Sequence, residues 1–316
     1  MNTAIINSMK ASILCVLFFA TAAWATPLSS SARAAIPADV QQIISVDYRS
    51  LKDSSTAMAL KDQVLPPALK EFETALKGIG ILPDHDVDQL TFASFRMGKQ
   101  GVGVIGMAQG DFAMKTVLKK MALHKIKPAS YHNTDIYPMG NGMQMTFLDD
   151  STLLFADSTA LRAALNSRDG YAQALDSNNQ IVDMIGSVDS GTVWSVLDQK
   201  GTQNMLISAM GDASKLADYD TLKKRLLGSR YTMNFQNGVN FDLDVVTEDS
   251  VTAATLSTLV KAGVLYKKIS ATPVEKIALD SMTVNSDNSD LQMHFKTDDQ
   301  QFRSLLHSDL FAAVSK

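Results

Sequence analysis

The predicted order of strands and helices constrains the fold most, because the same order occurs twice along the chain. Residues 43–46 form a short apolar run that leads to Asp47, and residues 193–197 form a similar run that leads to Asp198. Both runs are rich in the β-branched residues typical of strands. Each is followed by a long helical region, a hairpin, a second helix, a second hairpin and a short helix. The sequence therefore predicts two similar halves, each with the order β–α–ββ–α–ββ–α.

The hairpins indicate how the strands pair. Asn237-Gly238 separates two strand-like runs, and both residues tolerate the positive φ that a two-residue hairpin turn requires. In the run that follows, apolar and polar residues alternate from position 239 to 245, which is typical of a strand with one buried face. Strands that arrive as hairpins pair antiparallel. The predicted fold class is α+β, with an antiparallel sheet and helices packed on one face of each half.

The second helix of the second half is predicted to begin near Ser250. Its apolar positions recur at helical spacing and should form the face that packs on the sheet. These positions are Leu256, Leu259, Val260 and Val264.

The chain divides into six predicted segments. They are a signal peptide at 1–25, a flexible leader at 26–37, a first α+β half at 38–170, a linker at 171–190, a second α+β half at 191–310 and a tail at 311–316. The leader is predicted to be flexible because its Ser, Ala and Pro residues offer little apolar surface to bury.

The signal peptide is predicted from the first 25 residues. A polar start with Lys10 precedes a 15-residue apolar run that closes on small residues around Trp24. This is the pattern of a cleaved export signal, and the run is shorter than the roughly 20 residues that a membrane-spanning helix needs. Cleavage is predicted after Ala25, with Ala34 as the alternative. The expected location is the periplasm or the extracellular space, with no transmembrane span in the mature chain.

Composition narrows the functional classes. The only cysteine, Cys15, lies in the predicted signal, so the mature chain is expected to have no disulfide and no cysteine metal site. The formal net charge of −4 comes without a basic block, which argues against nucleic acid as a partner. An apolar fraction of 46% is that of a globular protein.

Two short motifs carry a resemblance. Val46-Asp47 ends the first predicted strand, and Gly110-Asp111-Phe112 opens a helix. Through these two motifs and its element order, the chain resembles uncharacterised bacterial exported proteins of a domain-of-unknown-function type with duplicated α+β halves. The resemblance covers residues 36–310. The resemblance implies an exported, duplicated fold and no particular activity.

One acidic segment is the candidate metal site. Asp84, Asp86 and Asp88 stand at alternate positions, as at the start of a calcium-binding loop. The positions that an EF-hand loop fills with Gly and Glu hold Gln89 and Phe95 instead. An acidic turn and a looser calcium site remain as the two interpretations.

A methionine cluster is the candidate ligand groove. Met139, Met143 and Met145 surround a Gly-Asn-Gly turn. Methionine fills irregular cores and also lines adaptable apolar grooves, and its thioether suits Cu(I). Core packing, an apolar ligand groove and a copper site are the three interpretations.

No coherent catalytic set emerges from the sequence. Residues 101–106 match G-x-G-x-x-G but lie inside a strand-like run, where glycines allow close packing rather than cofactor binding. The Ser- and Asp-containing segment 186–191 has the composition of a turn. No catalytic residue, cofactor or cofactor-binding residue is therefore predicted.

Three functional hypotheses follow. The first is an exported noncatalytic binding or scaffolding protein whose ligand is unknown, either a protein or an apolar molecule. The second is a periplasmic carrier of an apolar ligand such as a lipid or lipopeptide. The third is a hydrolase whose residues follow no recognisable motif.

Overall fold

We describe the fold from a computed structural model of the chain, which covers residues 27–64, 73–74, 76–210 and 219–307. The predicted signal peptide, with Cys15, and the predicted tail at 311–316 lie outside the described residues.

Twelve strands form one continuous antiparallel sheet. In chain order they are β1 Val40–Asp47, β2 Val87–Arg96, β3 Val102–Gly110, β4 Ala129–Tyr131, β5 Thr134–Pro138, β6 Met143–Asp149, β7 Thr152–Asp157, β8 Val193–Asp198, β9 Leu226–Asn234, β10 Val239–Thr247, β11 Met282–Asp287 and β12 Asp290–Thr297. Across the sheet the order is β11-β12-β10-β9-β8-β1-β2-β3-β7-β6-β5-β4. The two sides of the sheet match in strand order. From β8 outward the order is β8-β9-β10-β12-β11, and from β1 outward the corresponding order is β1-β2-β3-β7-β6.

Residues 76–79 are helical, and twelve further α-helices are found among the described residues. They are α1 Ser30–Ala35, α2 Tyr48–Lys52, α3 Ser55–Val64, α4 Pro83–Asp86, α5 Met114–Leu123, α6 Ser158–Arg168, α7 Asn179–Gly186, α8 Gln199–Met210, α9 Tyr219–Leu222, α10 Ser250–Ser270, α11 Pro273–Asp280 and α12 Asp299–Leu306. The predicted α+β class and antiparallel pairing are confirmed. The Asn237-Gly238 hairpin is also present, with φ values of 58° and 93° at its two turn residues.

The two halves meet at β1 and β8. These strands pair antiparallel, with Ile43 opposite Val196 and Ser45 opposite Trp194. The core on this side of the sheet contains Trp194, Ile43 and Val196, all fully buried. The halves therefore share both a sheet and part of a core.

The first half carries helices on both faces of the sheet. Leu154 and Phe155 are neighbours in β7, so their side chains point to opposite faces. Leu154 belongs to a core that includes residues of α1, α6 and α7, and Phe155 to a core that includes Val117 and Met121 of α5. The prediction placed helices on one face of each half. In the first half a second layer of helices covers the other face of the sheet as well.

The second half carries its main core on one face. There α8 and α10 cover Leu243, Val245 and Leu291. The opposite face is polar at β9, β10 and β12, where Arg230 pairs with Asp244 at 3.0 Å and with Asp290 at 3.2 Å. Period-two alternation in β10 accounts for this division.

The predicted flexible leader and the predicted linker both contribute helices to the packed structure. The predicted leader at 26–37 contains α1, in which Ala32 and Ala35 are fully buried, and Ile36, directly after the helix, is also fully buried. Small alanine side chains let α1 pack closely against α6, which composition alone did not show. The predicted linker at 171–190 contains α7, whose Ile181 and Ile185 join the same core.

Asp149, the last residue of β6, should make stability depend on pH. Burial acts to raise its pKa, but hydrogen bonds from Ser31, Ser151 and Thr152 outweigh that effect and leave the pKa lowered. A lowered folded-state pKa stabilises the fold above the unfolded pKa of about 3.9, and this is lost as pH falls through the folded pKa.

Asp149→Asn should therefore lower the free energy of unfolding at pH 7 by about 1 kcal/mol, a value kept small because the carboxylate is partly exposed. The difference between the variant and the unmodified chain should shrink as the pH falls through the folded-state pKa of Asp149. Urea unfolding at several pH values measures it. A difference that stays constant with pH would contradict this role.

Candidate functional site

The longest helix, α10, presents the most unusual surface of the described residues. Its first turn is held by Asp249, whose carboxylate accepts the backbone N–H of Thr252 at 2.8 Å and pairs with Arg225 at 2.9 Å. The hydrogen bond from Thr252 and the charge of Arg225 lower the pKa of Asp249, so the cap stays ionised at neutral pH. This end of the helix is fixed to the body of the second half.

The inner face of α10 packs on the sheet. Leu256 and Val260 are buried against Val245, Val284 and Leu291. Among the positions predicted to form this face, these two are buried, whereas Leu259 and Val264 are partly exposed. No residue after Val260 is fully buried in this helix, although Val264 still packs against the same core.

The outer face of α10 is exposed and carries no charge. At 100° per residue its members fall within an arc of about 100°, opposite the inner face. They are Val251, Thr255, Thr258, Ala262, Leu265, Tyr266 and Ile269. The larger side chains are 71% exposed at Val251, 64% at Leu265, 65% at Tyr266 and 79% at Ile269.

An exposed face without charge is uncommon in a surface helix, which usually pairs one apolar side with one charged side. In α10 both sides are apolar, there is no acidic residue, and the charges are three lysines at its flanks and end. The next helix, α11, also exposes Val274 and Ile277. We take the outer face of α10 as the candidate interaction site.

The predicted acidic segment is held by three separate sets of partners. Asp84 accepts the Tyr48 hydroxyl at 3.2 Å, and Asp88 accepts the Arg49 guanidinium at 3.0 Å. Asp86 accepts the backbone N–H of the residue four positions earlier at 2.7 Å. In the described part of the chain, no three His, Cys, Asp or Glu residues are grouped as a metal site.

The predicted methionine groove lies beside the core that contains Phe155. Met145 is fully buried there, and Met139 and Met143 are partly buried against it. The backbone N–H of Met139 donates to the carbonyl of Met143 at 2.8 Å, which closes the Gly-Asn-Gly turn. The three side chains thus pack together as one edge of this core.

The glycine-rich segment lies in β3, where the sequence predicted a strand whose glycines allow close packing. A Cβ added at Gly106 would overlap the ring of Phe155, and one added at Gly103 would crowd Phe95. These glycines let two aromatic rings pack against the backbone of β3.

The clefts of the described surface include two open ones that the methionines do not line. One, of about 390 Å³, is lined by Gln100, Ser158, Thr159, Arg162, Ala163 and Asn166. Tyr131 borders it, since its hydroxyl donates to Asn166 at 2.8 Å and its ring lies 5.2 Å from the Arg162 guanidinium carbon. The other is lined by Asp299, Gln300, Arg303, Ser304 and His307. Both are open; the surface that lines the first is mostly polar, and the surface that lines the second is mostly apolar.

None of the helices within the described residues combines the length and the apolarity needed to cross a bilayer.

The outer face of α10 was missed by the sequence analysis, although a signal for it was present. Periodicity assigned the apolar residues of the helix to a single inner face. The complete lack of Asp and Glu between 250 and 270 is the signal that a second apolar side exists.

The chain was compared with protein-family models, curated proteins and solved structures. No protein-family model and no curated protein matches the chain. The structure is similar to crystal form I of TP0453, with a TM-score of 0.47 and 8% identity over 90% of this chain and 97% of that chain. Crystal form III gives 0.49 and 8% over 89% and 97%, and crystal form IV gives 0.44 and 7% over 90% and 97%.

Proposed function

We propose that the chain is an exported, noncatalytic scaffolding protein that binds a protein partner through the outer face of α10. The observation that carries the proposal is the exposure of Val251, Leu265, Tyr266 and Ile269 on one uncharged side of a helix. Soluble monomers rarely expose contiguous apolar surface of this kind, and such patches mark interaction sites. Burial of this surface in a complex supplies the free energy of binding.

The shape of the site favours a macromolecule over a small apolar ligand. Ligand pockets are concave and enclose most of their ligand. The outer face of α10 is the convex side of a helix, so a small molecule bound there would keep much of its surface in water. A second protein surface can cover it along its whole length of about 31 Å.

Export and internal duplication remain part of the proposal. Export is supported by the signal pattern of residues 1–25. Duplication is supported by the matched strand order on the two sides of the β1–β8 pair. In a protein made of two joined halves, the shared sheet is a rigid support for α10, whose outer face is the proposed binding surface.

Site-specific photo-crosslinking tests the proposal in cells that produce the chain. A benzoylphenylalanine replaces Leu265 in one variant and Leu123 in a matched control, because Leu123 is 72% exposed but lies at the end of α5. We expect crosslinked protein of discrete mass from position 265 and little from position 123. Equal, diffuse labelling from both positions would refute the proposed site.

A further inference from the structure

The polar cleft beside α6 lies between two elements of the first half. All but one of its lining residues come from α6, and the remaining one, Gln100, comes from the turn between β2 and β3. Ser158, Arg162 and Asn166 follow one another at intervals of four positions, so they lie on one side of the helix. The cleft has a volume of about 390 Å³, which is within the range of sites that hold small ligands.

Arg162 differs from the other arginines of the described residues in the partners of its charge. The others pair with an aspartate, except for Arg303, which donates to the hydroxyls of Ser55 and Thr56. The guanidinium of Arg162 makes no hydrogen bond and no ion pair with any described residue. Its N–H donors are therefore available to a ligand in the cleft.

Arg162 is nevertheless held in position. Its guanidinium carbon lies 5.2 Å from the centre of the Tyr131 ring, which is within the range of a cation–π interaction. The ring is fixed in turn, because the Tyr131 hydroxyl donates to Asn166 at 2.8 Å and the ring of His132 packs against it with 4.2 Å between the ring centres. An arginine that is positioned before binding loses less side-chain entropy when a ligand arrives.

The other lining groups suit a ligand that carries hydroxyl groups. The hydroxyls of Ser158 and Thr159 and the side-chain amide of Gln100 make no hydrogen bond within the described residues. Hydroxyl and amide groups both donate and accept, as do the hydroxyls of a sugar. The described residues that line the cleft include no aspartate or glutamate. The nearest acid in sequence, Asp157, caps α6 by accepting the backbone N–H groups of Thr159 and Ala160 at 2.8 and 3.0 Å.

We propose that this cleft binds a polyhydroxylated small molecule that carries an oxyanion, either a carboxylate or a phosphate, and that Arg162 binds the oxyanion. Arginine holds both kinds of oxyanion through two parallel hydrogen bonds, and here no carboxylate of the described residues competes for them. The hydroxyl and amide groups of the cleft then bind the hydroxyls of the ligand. This site is separate from the outer face of α10, so either proposal can fail without the other.

NMR titration of the purified, isotope-labelled chain tests the proposal. The probes are glucuronate and glucose-6-phosphate, and the controls are glucose, acetate and inorganic phosphate, each of which lacks one of the two features. We expect at least one anionic sugar to bind about tenfold more tightly than glucose and than its own bare anion. The tighter of the two anionic sugars identifies the oxyanion as a carboxylate or a phosphate.

Three results of this titration would overturn the proposal. The first is the lack of binding by either anionic sugar. The second is equal affinity for glucose, because the oxyanion would then contribute nothing. The third is equal affinity for acetate or inorganic phosphate, because the hydroxyl groups would then contribute nothing.

Substitutions at Arg162 test whether the anion binds in the cleft. Arg162→Gln should weaken binding of the anionic sugar about tenfold, and Arg162→Lys, which keeps the charge but lacks the planar pair of donors, should fall between that variant and the unmodified chain. Arg162 is exposed, so both variants should keep the thermal unfolding midpoint of the unmodified chain. Lys119→Gln is the matched control, because it removes one positive charge from an exposed position of α5 and should leave binding unchanged. Unchanged affinity in Arg162→Gln, or an equal loss in Lys119→Gln, would overturn the proposed site.

Discussion

Replacing Trp194 with alanine should lower the free energy of unfolding by about 3–5 kcal/mol, one of the largest effects of any single change in this chain. Trp194 is 1% exposed and is the largest fully buried side chain among the described residues. Its removal leaves a cavity where β8 meets β1, and the surrounding sheet can close around it only in part.

Thermal unfolding measures this loss of stability and also shows whether the two halves unfold in one cooperative transition. A single transition should shift downward by about 10 °C in Trp194→Ala, and Trp194→Phe should fall between that variant and the unmodified chain. The shift should appear equally in probes placed in either half. A variant in which only the second half unfolds early would show that the two halves are separate folding units.

Gly110→Ala should destabilise the fold by about 3 kcal/mol. A Cβ at this position would overlap the backbone carbonyl oxygen of Asp86. The segment cannot easily move away, because the N–H of Gly110 donates to Ser151 at 3.0 Å and the N–H of Asp111 donates to that same Asp86 oxygen at 3.0 Å. Relief of the overlap breaks at least one of these backbone hydrogen bonds.

Gly140→Ala is the matched control for this substitution. A Cβ at Gly140 has no neighbour within 4 Å, and the backbone there does not adopt positive φ. Its effect on the free energy of unfolding should stay within about 0.5 kcal/mol in urea titrations. Equal stability of the Gly110 and Gly140 variants would contradict the packing described at the end of β3.

Local features of the fold could be predicted from the sequence. The hairpin at Asn237-Gly238, the alternation in β10 and the element order depend on neighbouring residues, and periodicity reports them directly. The pairing of β1 with β8 depends on strands about 150 residues apart, for which the sequence carries no local signal. The burial of α1 and α7 likewise depends on a core built by distant strands.

The same distinction applies to the candidate sites. The acidic residues near position 86 are adjacent in sequence, but the arginine and tyrosine that two of them bind come from α2, more than thirty positions earlier. The row on the outer face of α10 is local and its spacing is readable from the sequence. It was obscured because two apolar faces on one helix blur the periodicity that a single face would give.

Hydroxyl-radical footprinting of tyrosines tests most directly whether the outer face of α10 is covered. Tyr266 lies on that face and is 65% exposed, and Tyr171 lies elsewhere and is 69% exposed, so the two should oxidise at similar rates in the dilute purified chain. In cells that produce the protein, the account predicts that Tyr266 becomes several times less reactive relative to Tyr171. An unchanged ratio between the two tyrosines in cells would contradict the account.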